Sequence, residues 1–545
     1  MVNGRLVSCT AVLLLALAVL TATAAQRSAE YDEQYTLFLT AGIARPAWPD
    51  AAFAAGEVRT LQAGHASLIG IARDLRATDV HPPLYFWCVA LWRRVAGGGL
   101  FAARLFSVLC AVSALATVGL IACRTGVPPL LAMLLTLGCY GFAYTGAIAR
   151  GFALAQALIL WGVAVSLSGR RRWLAGVMLG AATFTNYLAV FVALAVSPAM
   201  ASWSNQADRN APVVHRSNRS MEDDGERRAA EQSADRPHHP RRPRPATSSA
   251  LAAATLLAVF FAADLWFLLP QHNSRAGQFP TFHLFSAMAR LAGYAAANLL
   301  GGLPLYVPAP ARNITSALLA LLALATVGLV AARWRCIAAS PAARRLLLRA
   351  ALAPAVGLLT LGAVFHNTPI ELRYLAFATP FAALLLAGAC ASLPASLRRA
   401  TIALLLAVQA VSLLGLMTRQ ETMQPARATA EAASRLTGEG VVLLPRGNDG
   451  VGIVGAFAIE SPPGQRLLVV ARGETPAHIL ARLGASRRVA LALLAQDEDS
   501  RATVATLRQT FATSCWRPGG EGFNVLAFDR VCEDVAPWPS STASR

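Results

Sequence analysis

The sequence predicts a mainly α protein: a polytopic transmembrane helical bundle of about 10–12 spans with a C-terminal α/β domain outside the cytoplasm. Three observations predict it. The 545 residues are 55% hydrophobic and 14% charged, with a mean hydropathy of +0.48, and they contain several apolar runs long enough to cross a bilayer. Arginine clusters recur at alternate ends of those runs, as the excess of cations in cytoplasmic loops requires. After Met417 the character changes to helical stretches alternating with short apolar runs, the pattern of a small α/β unit with a partly parallel sheet.

The first apolar run covers about residues 7–25, follows Arg5 and ends among small residues at Ala22, Ala24 and Ala25. It fits a cleavable signal peptide or a retained helix. Retention is preferred, because acids follow at once and an anchored helix would hold them. The segment 81–96 begins His81-Pro82-Pro83, carries Trp87 and Trp92 and ends at Arg93-Arg94, which suits an interfacial helix rather than a span. With that segment lying flat, residues 26–100 form one large outer loop. Residues 101–122 return inward, 128–148 run outward as one span and 151–168 come back. Arg170, Arg171 and Arg172 then fall in the cytoplasm and Arg150 outside. Residues 173–200, broken at Asn186-Tyr187, read as two tilted short helices.

Residues 201–249 are rich in Arg, Asp, Glu, Ser and Pro and bury too little apolar surface to order themselves, so a disordered cytoplasmic loop is expected, its His238-His239 pair solvated. Residues 250–269 run outward, 284–300 form a second interfacial helix, and spans follow at about 314–332, 346–365, 374–393 and 400–417. That layout puts Arg333, Arg335, Arg344, Arg345, Arg398 and Arg399 inside. The domains are thus 1–200, a transmembrane core with the outer loop; 201–249, the polar loop; 250–417, the rest of the core; and 418–545, the α/β domain. Strands are expected at 441–444, 466–470, 489–494 and 524–528. Cys515 and Cys532 stand at a separation that could close a loop, and a disulfide there requires an oxidising compartment, in agreement with the parity of spans.

Several function classes are set aside by composition. The net charge of +19 is spread over short inter-helix loops, not gathered on a soluble face, so no nucleic-acid partner is expected. Every cation is Arg and none is Lys, which fits a GC-rich genome. The nine cysteines show no CxxC or Cys/His spacing, and seven lie in or beside apolar segments as packing residues, so no metal site is read from them. A phosphate-binding glycine loop in a soluble domain, the mark of a nucleotide-sugar enzyme, is not expected.

Carboxylates at a membrane surface are costly unless something uses them. Asp32 and Glu33, in Glu30-Tyr31-Asp32-Glu33, therefore stand out. They are followed by His81-Pro82-Pro83-Leu84, by Arg150 in Ala149-Arg150-Gly151, and by Arg373-Tyr374 in Glu371-Leu372-Arg373-Tyr374 ahead of Pro380. This series resembles the polytopic C-type glycosyltransferases (GT-C), the protein O-mannosyltransferases and aminoarabinose transferases among them, well over residues 8–200 and moderately over 346–395. One departure is Asn186-Tyr187, where the family often carries a Lys. The middle loop and the C-terminal domain match nothing in the family.

The resemblance implies a GT-C-like bundle and transfer of a sugar, with inversion, from a polyprenyl-phosphate carrier to a cell-envelope acceptor, at the periplasmic face of the bacterial inner membrane. It implies Asp32 as base and Glu33 as the acid that orients the acceptor or stands in for Asp32. His81 is expected to bind acceptor or phosphate, and Arg150 and Arg373 with Tyr374 to hold the phosphate; guanidinium stays charged and matches phosphate oxygens in a fork. His65, Asp74, Asp79, Tyr85 and His366 are weaker candidates for the cleft. No cofactor is assigned, and a divalent cation stays open, since some members of the family use one and others do not. A polytopic lipid or sugar transporter is the rival from another class, but no internal repeat is visible and the acids sit at helix ends. An O-antigen polymerase or ligase would carry its large loop late among the spans, whereas here it is the first.

Overall fold

The computed structural model describes residues 2–79, 81–168, 172–197, 246–271, 280–305, 307–419, 424–447, 450–494 and 497–532. Helix α1 (Val2–Gln26) leads into a connecting region that carries α2 (Tyr31–Ala41), strand β1 (Phe53–Ala54), α3 (Ala55–Gln62), α4 (Leu68–Thr78) and α5 (Leu84–Ala96). The bundle continues with α6 (Leu100–Thr125), α7 (Pro129–Gly138), α8 (Tyr140–Gly146), α9 (Phe152–Leu167), α10 (Arg172–Thr183) and α11 (Tyr187–Ser197). Its second half holds α12 (Ala246–Leu268), α13 (Leu284–Leu300), α14 (Ala311–Ala332), α15 (Pro341–Phe365), a 3-10 stretch Leu372–Ala378 running into α16 (Thr379–Ala391), and α17 (Ala395–Thr418). Helix α6 packs against α1, α7 and α9, and α9 against α10, forming one apolar core. Gly162 lets α9 approach Leu179 of α10 closely.

Among the described residues, seven helical segments are long and apolar enough to cross a membrane, and the α7–α8 pair makes an eighth if it is one span. With the shorter apolar helices α9 and α11 crossing as well, the count among the described residues reaches ten, the lower end of the expected ten to twelve. The predicted single span at 128–148 is broken: α7 and α8 meet at a 71° bend at Cys139. A break in apolar surroundings must have its freed carbonyls satisfied from elsewhere. Gln409 of α17 reaches into the bend, donating to the Leu135 carbonyl at 3.2 Å, which also accepts from the Cys139 amide, and to the Leu299 carbonyl of α13 at 2.9 Å. The predicted break at Asn186-Tyr187 is present, and the Asn186 side chain caps the following helix by accepting from the Leu188 amide. Residues 201–245 of the predicted polar loop lie outside the described residues, whereas 246–249 already belong to α12.

Helix α5 has 13 residues, too few to span, and buries Tyr85, Phe86, Val89 and Ala90 against α2 and α4. Arg93, read from the sequence as the basic end of an interfacial helix, is instead 1% exposed. Its guanidinium donates to the carbonyls of Leu37, Gln62 and Gly98 and to the Thr40 hydroxyl, tying α5 to α2 and α3, and burial pushes its pKa down to about 10.

The C-terminal region forms α18 (Ala426–Thr437), β2 (Val441–Pro445), α19 (Gly452–Glu460), β3 (Arg466–Val470), α20 (Pro476–Leu483), β4 (Arg488–Ala492), α21 (Glu498–Thr510), β5 (Trp516–Gly522) and β6 (Val525–Arg530). The sheet order is β1-β3-β2-β4-β6-β5, with β3, β2 and β4 parallel and β1, β6 and β5 added antiparallel. Val442 and Leu444 pack beneath α18 and α19, while Val441 and Leu443 face α20 and α21, so β2 is buried along its whole length. Four strands match those expected. Strand β5 was not, because its Pro518, Gly519, Gly520 and Gly522 read as a turn; an edge position with a register shift between Pro518 and Gly520 tolerates them. Strand β1 was not expected either, since two residues carry no periodicity. The Cys515–Cys532 disulfide is formed, and the other seven cysteines are free thiols. Alkylation of the denatured protein without reductant should therefore label seven thiols, and all nine only after reduction, as read by intact mass.

Candidate active site

Between α1 and α2 the chain turns within residues 27–30, and the ionic groups of that turn are buried and paired. Arg104, in the first turns of α6, places its guanidinium among the carbonyls of Ala24 (2.8 Å), Arg27 (2.8 Å) and Ser28 (2.7 Å). The same group binds both oxygens of Glu33, at 2.7 and 2.5 Å. The placement is electrostatically apt, with a cation at the carbonyl end of α1 and carboxylates in the first turn of α2. Arg27 pairs with Glu30 at 2.5 Å, and the Tyr144 hydroxyl donates to the same carboxylate at 2.8 Å. Burial works to lower the Arg27 pKa, but the charge of Glu30 outweighs it and holds the guanidinium above its ordinary value.

Glu33 has no exposed surface, and its oxygens also accept from the amides of Glu30 (2.9 Å) and Ala149 (2.8 Å). Thr36 returns a bond to the Ala149 carbonyl at 2.8 Å. These contacts fasten α2 to the residue next to Arg150. Glu33 thus lies in the buried layer beneath the site, its lone pairs taken by protein donors.

Above that layer the structure brings together Asp32, His81, Arg150, Arg373 and Tyr374. Arg373, in the 3-10 stretch before α16, is ion-paired with Asp32 and, at 2.5 Å, with Glu371. Its guanidinium carbon lies 5.6 Å from the centroid of the Tyr374 ring, which stacks on Phe152. Arg150, just before α9, donates to the Asp32 backbone carbonyl at 3.2 Å and faces His81 Nε2 at 3.3 Å. Arginine only donates, so Nε2 accepts, and the imidazole proton sits on Nδ1, pointing at Asp79 Oδ1 2.9 Å away. The ring of Tyr187 lies 6.1 Å from that of His81, in the stretch where the family's Lys was missed. The prolines after His81 start α5 at once, with Pro83 as its N-cap, and so fix where the imidazole emerges.

Asp32, Arg150 and Arg373 are each more than nine-tenths buried. The arrangement is a carboxylate paired with one guanidinium, with a second guanidinium on the backbone carbonyl of the same residue, suited to a proton acceptor beside an anion. Among the described residues no group of three or more His, Cys, Asp or Glu side chains could hold a metal ion.

Sequence reasoning passed over Arg104, Arg27 and Tyr144, none of which carries a motif, and gave no role to Glu30 and Glu371, which lie inside the quoted motifs. It also missed a glycine pattern. Gly450-Val451-Gly452-Ile453-Val454-Gly455 has the GxGxxG spacing between β2 and α19, the context of a dinucleotide-binding turn. In this fold the glycines are covered by the protein itself. The Gly450 carbonyl accepts from the Trp48 indole, Gly452 lies against the Tyr31 ring, and Gly455 lies against Gln34 and Phe38.

No family model matches the chain, and no curated protein matches it. Among solved structures it is similar to the crystal structure of ArnT from Cupriavidus metallidurans bound to undecaprenyl phosphate, at 12% identity and a TM-score of 0.48, over 97% of this chain and 99% of that one. The apo form of the same protein matches at the same identity and TM-score. A cryo-EM structure of the mycobacterial arabinofuranosyltransferase AftD matches at 13% identity and a TM-score of 0.35, over 98% of this chain and 40% of that one.

Glu33→Ala should cost about 3–5 kcal/mol, because it leaves Arg104 charged and unpaired in a buried site. Asp32→Asn should cost less, since Arg373 keeps Glu371. Thermal unfolding of the two variants in detergent checks the order.

Proposed function

We propose that this protein is a membrane glycosyltransferase that moves a sugar from a polyprenyl-phosphate carrier to a cell-envelope acceptor, with inversion, at the periplasmic face of the bacterial inner membrane. The observation that supports it is the convergence of Asp32, His81, Arg150 and Arg373, from four distant parts of the chain, into one cluster of a carboxylate and two phosphate-compatible cations.

In this reading an acceptor hydroxyl attacks the anomeric carbon and Asp32 takes its proton. The bond from that carbon to the phosphate oxygen breaks, and its electron pair leaves with the polyprenyl phosphate. Arg373 and Arg150 stabilise the charge that gathers on the leaving group. Arg373 stands between Asp32 and Glu371, so a phosphate entering the cleft competes with the carboxylates for it and releases Asp32 to act as base. His81 presents its ring to Arg150 with Asp79 behind it, and so orients that guanidinium. Tyr374, stacked on Phe152, makes an apolar wall beside Arg373. Glu33, read from the sequence as a second acid of the reaction, is here a positioning residue that holds α2 and Ala149.

Envelope glycans and lipid A from a deletion strain, complemented with wild type or Asp32→Asn, are compared by mass spectrometry. Wild type should restore one sugar mass and Asp32→Asn should not. Turnover by Asp32→Asn would remove Asp32 as the base. With purified protein, Arg373→Lys should slow transfer about 10-fold or more, since an ammonium offers no bidentate fork.

A further inference from the structure

The C-terminal α/β domain is not joined to the bundle by a tether alone. Its sheet gains an antiparallel edge strand from the first connecting region, Phe53 pairing with Leu467 and Ala54 with Arg466. Phe38, Phe53 and Val58 of that region complete the core beneath the sheet. Gly452 and Gly455 of α19 permit close approach of α2, the helix that carries Asp32.

The most specific contact is ionic. Arg427 of α18 pairs with Glu460 at the end of α19, Nε to Oε2 at 2.6 Å. The same guanidinium donates to the carbonyls of Gln26 at 2.9 Å and Arg27 at 3.3 Å, and the Arg427 amide donates to the Ser28 hydroxyl at 3.3 Å. Glu460 Oε1 accepts the Ala29 amide at 2.5 Å. Residues 26–29 are therefore gripped from two sides, by Arg104 of the bundle and by Arg427 with Glu460 of the C-terminal domain. Asp32 follows within one helical turn, at the start of α2, so the backbone that sets its carboxylate is fixed by both.

We infer that the C-terminal domain serves the reaction as a positioning element: Arg427 and Glu460 hold the turn at residues 26–29 so that Asp32 meets Arg373 and the acceptor. The inference rests on the transferase reading for its kinetic consequence and on the contacts alone for its structural one. Arg427 satisfies carbonyls at the end of α1 that have no helical partner, and a charge-assisted bond of this kind is felt when removed. The geometry makes Arg427 and Glu460 positioning residues, since neither touches the cleft.

The test uses the full-length protein in detergent, as wild type, Arg427→Gln, Arg427→Lys and Glu460→Gln, with two readouts. Hydrogen–deuterium exchange of the amides at 27–33 should rise about 10-fold or more in Arg427→Gln, while strands β2 and β3 keep their protection. With a polyprenyl-phosphate sugar, kcat should fall by a similar factor at nearly constant KM for the donor. Arg427→Lys should recover part of both. Glu460→Gln, which keeps an acceptor for the Ala29 amide, should show a smaller change. Unchanged exchange at 27–33, a loss of protection spread over the whole sheet, or faster exchange at 27–33 with unaltered kcat would each overturn the inference. If wild type transfers no sugar, the transferase reading falls, and the exchange measurement still decides whether the clamp exists.

Discussion

The burial of Arg104 against the turn between α1 and α2 is the constraint on which the site depends. A charge removed from water must be matched closely or it costs several kcal/mol. Arg104 is matched by three carbonyls at the end of α1 and by both oxygens of Glu33. Meeting that requirement fixes the angle between α1 and α2, and Glu33 extends it to Ala149. Asp32 and Arg150, next to Glu33 and Ala149, inherit their positions from these buried contacts.

Two layers of charge follow, with different duties. In the lower layer Arg27, Glu30, Glu33 and Arg104 are nearly inaccessible and pair with one another. In the upper layer Asp32, Arg150, Arg373, Glu371, Asp79 and His81 form a chain of contacts whose members reach partly exposed groups, with Glu371 and His81 at its rim. Such a chain can exchange partners when an anion enters, whereas the lower layer cannot without exposing unpaired charge. Two adjacent acids in one motif, Asp32 and Glu33, end in different layers because successive helical residues point about 100° apart.

Part of the candidate cluster was legible from residue types that are expensive where they stand. Acids directly after an apolar helix and a His-Pro-Pro turn drew attention to Asp32 and His81, while Arg150 and Arg373 were picked out among many arginines only by the family resemblance; the structure brings the four together. The roles within the pairs were not legible, because Asp32 and Glu33 are equivalent in sequence and differ only in what packs over them. Arg93 and Arg104 look alike as well, each an arginine near an apolar run. Both are buried, one against carbonyls and a hydroxyl alone and the other with a carboxylate added, and only the neighbours from α2 decide that. The GxGxxG loop shows the same limit: glycine spacing states that something approaches the backbone closely, but not whether it is a phosphate or the protein's own Tyr31.

The sequence by itself determined the membrane-crossing character, the places of most long helices, the break at Asn186-Tyr187, four of the strands and the Cys515–Cys532 pairing. Each follows from local composition, periodicity or spacing along the chain. Tertiary structure alone decided the bend at Cys139, the edge strand at residues 53–54, the docking of α19 on α2, and the pairing of Arg373 with Asp32. In each of these the partner is far away in sequence, and the free energy comes from contacts, apolar for α19 on α2 and ionic for Arg373 with Asp32, that do not exist until the chain is folded.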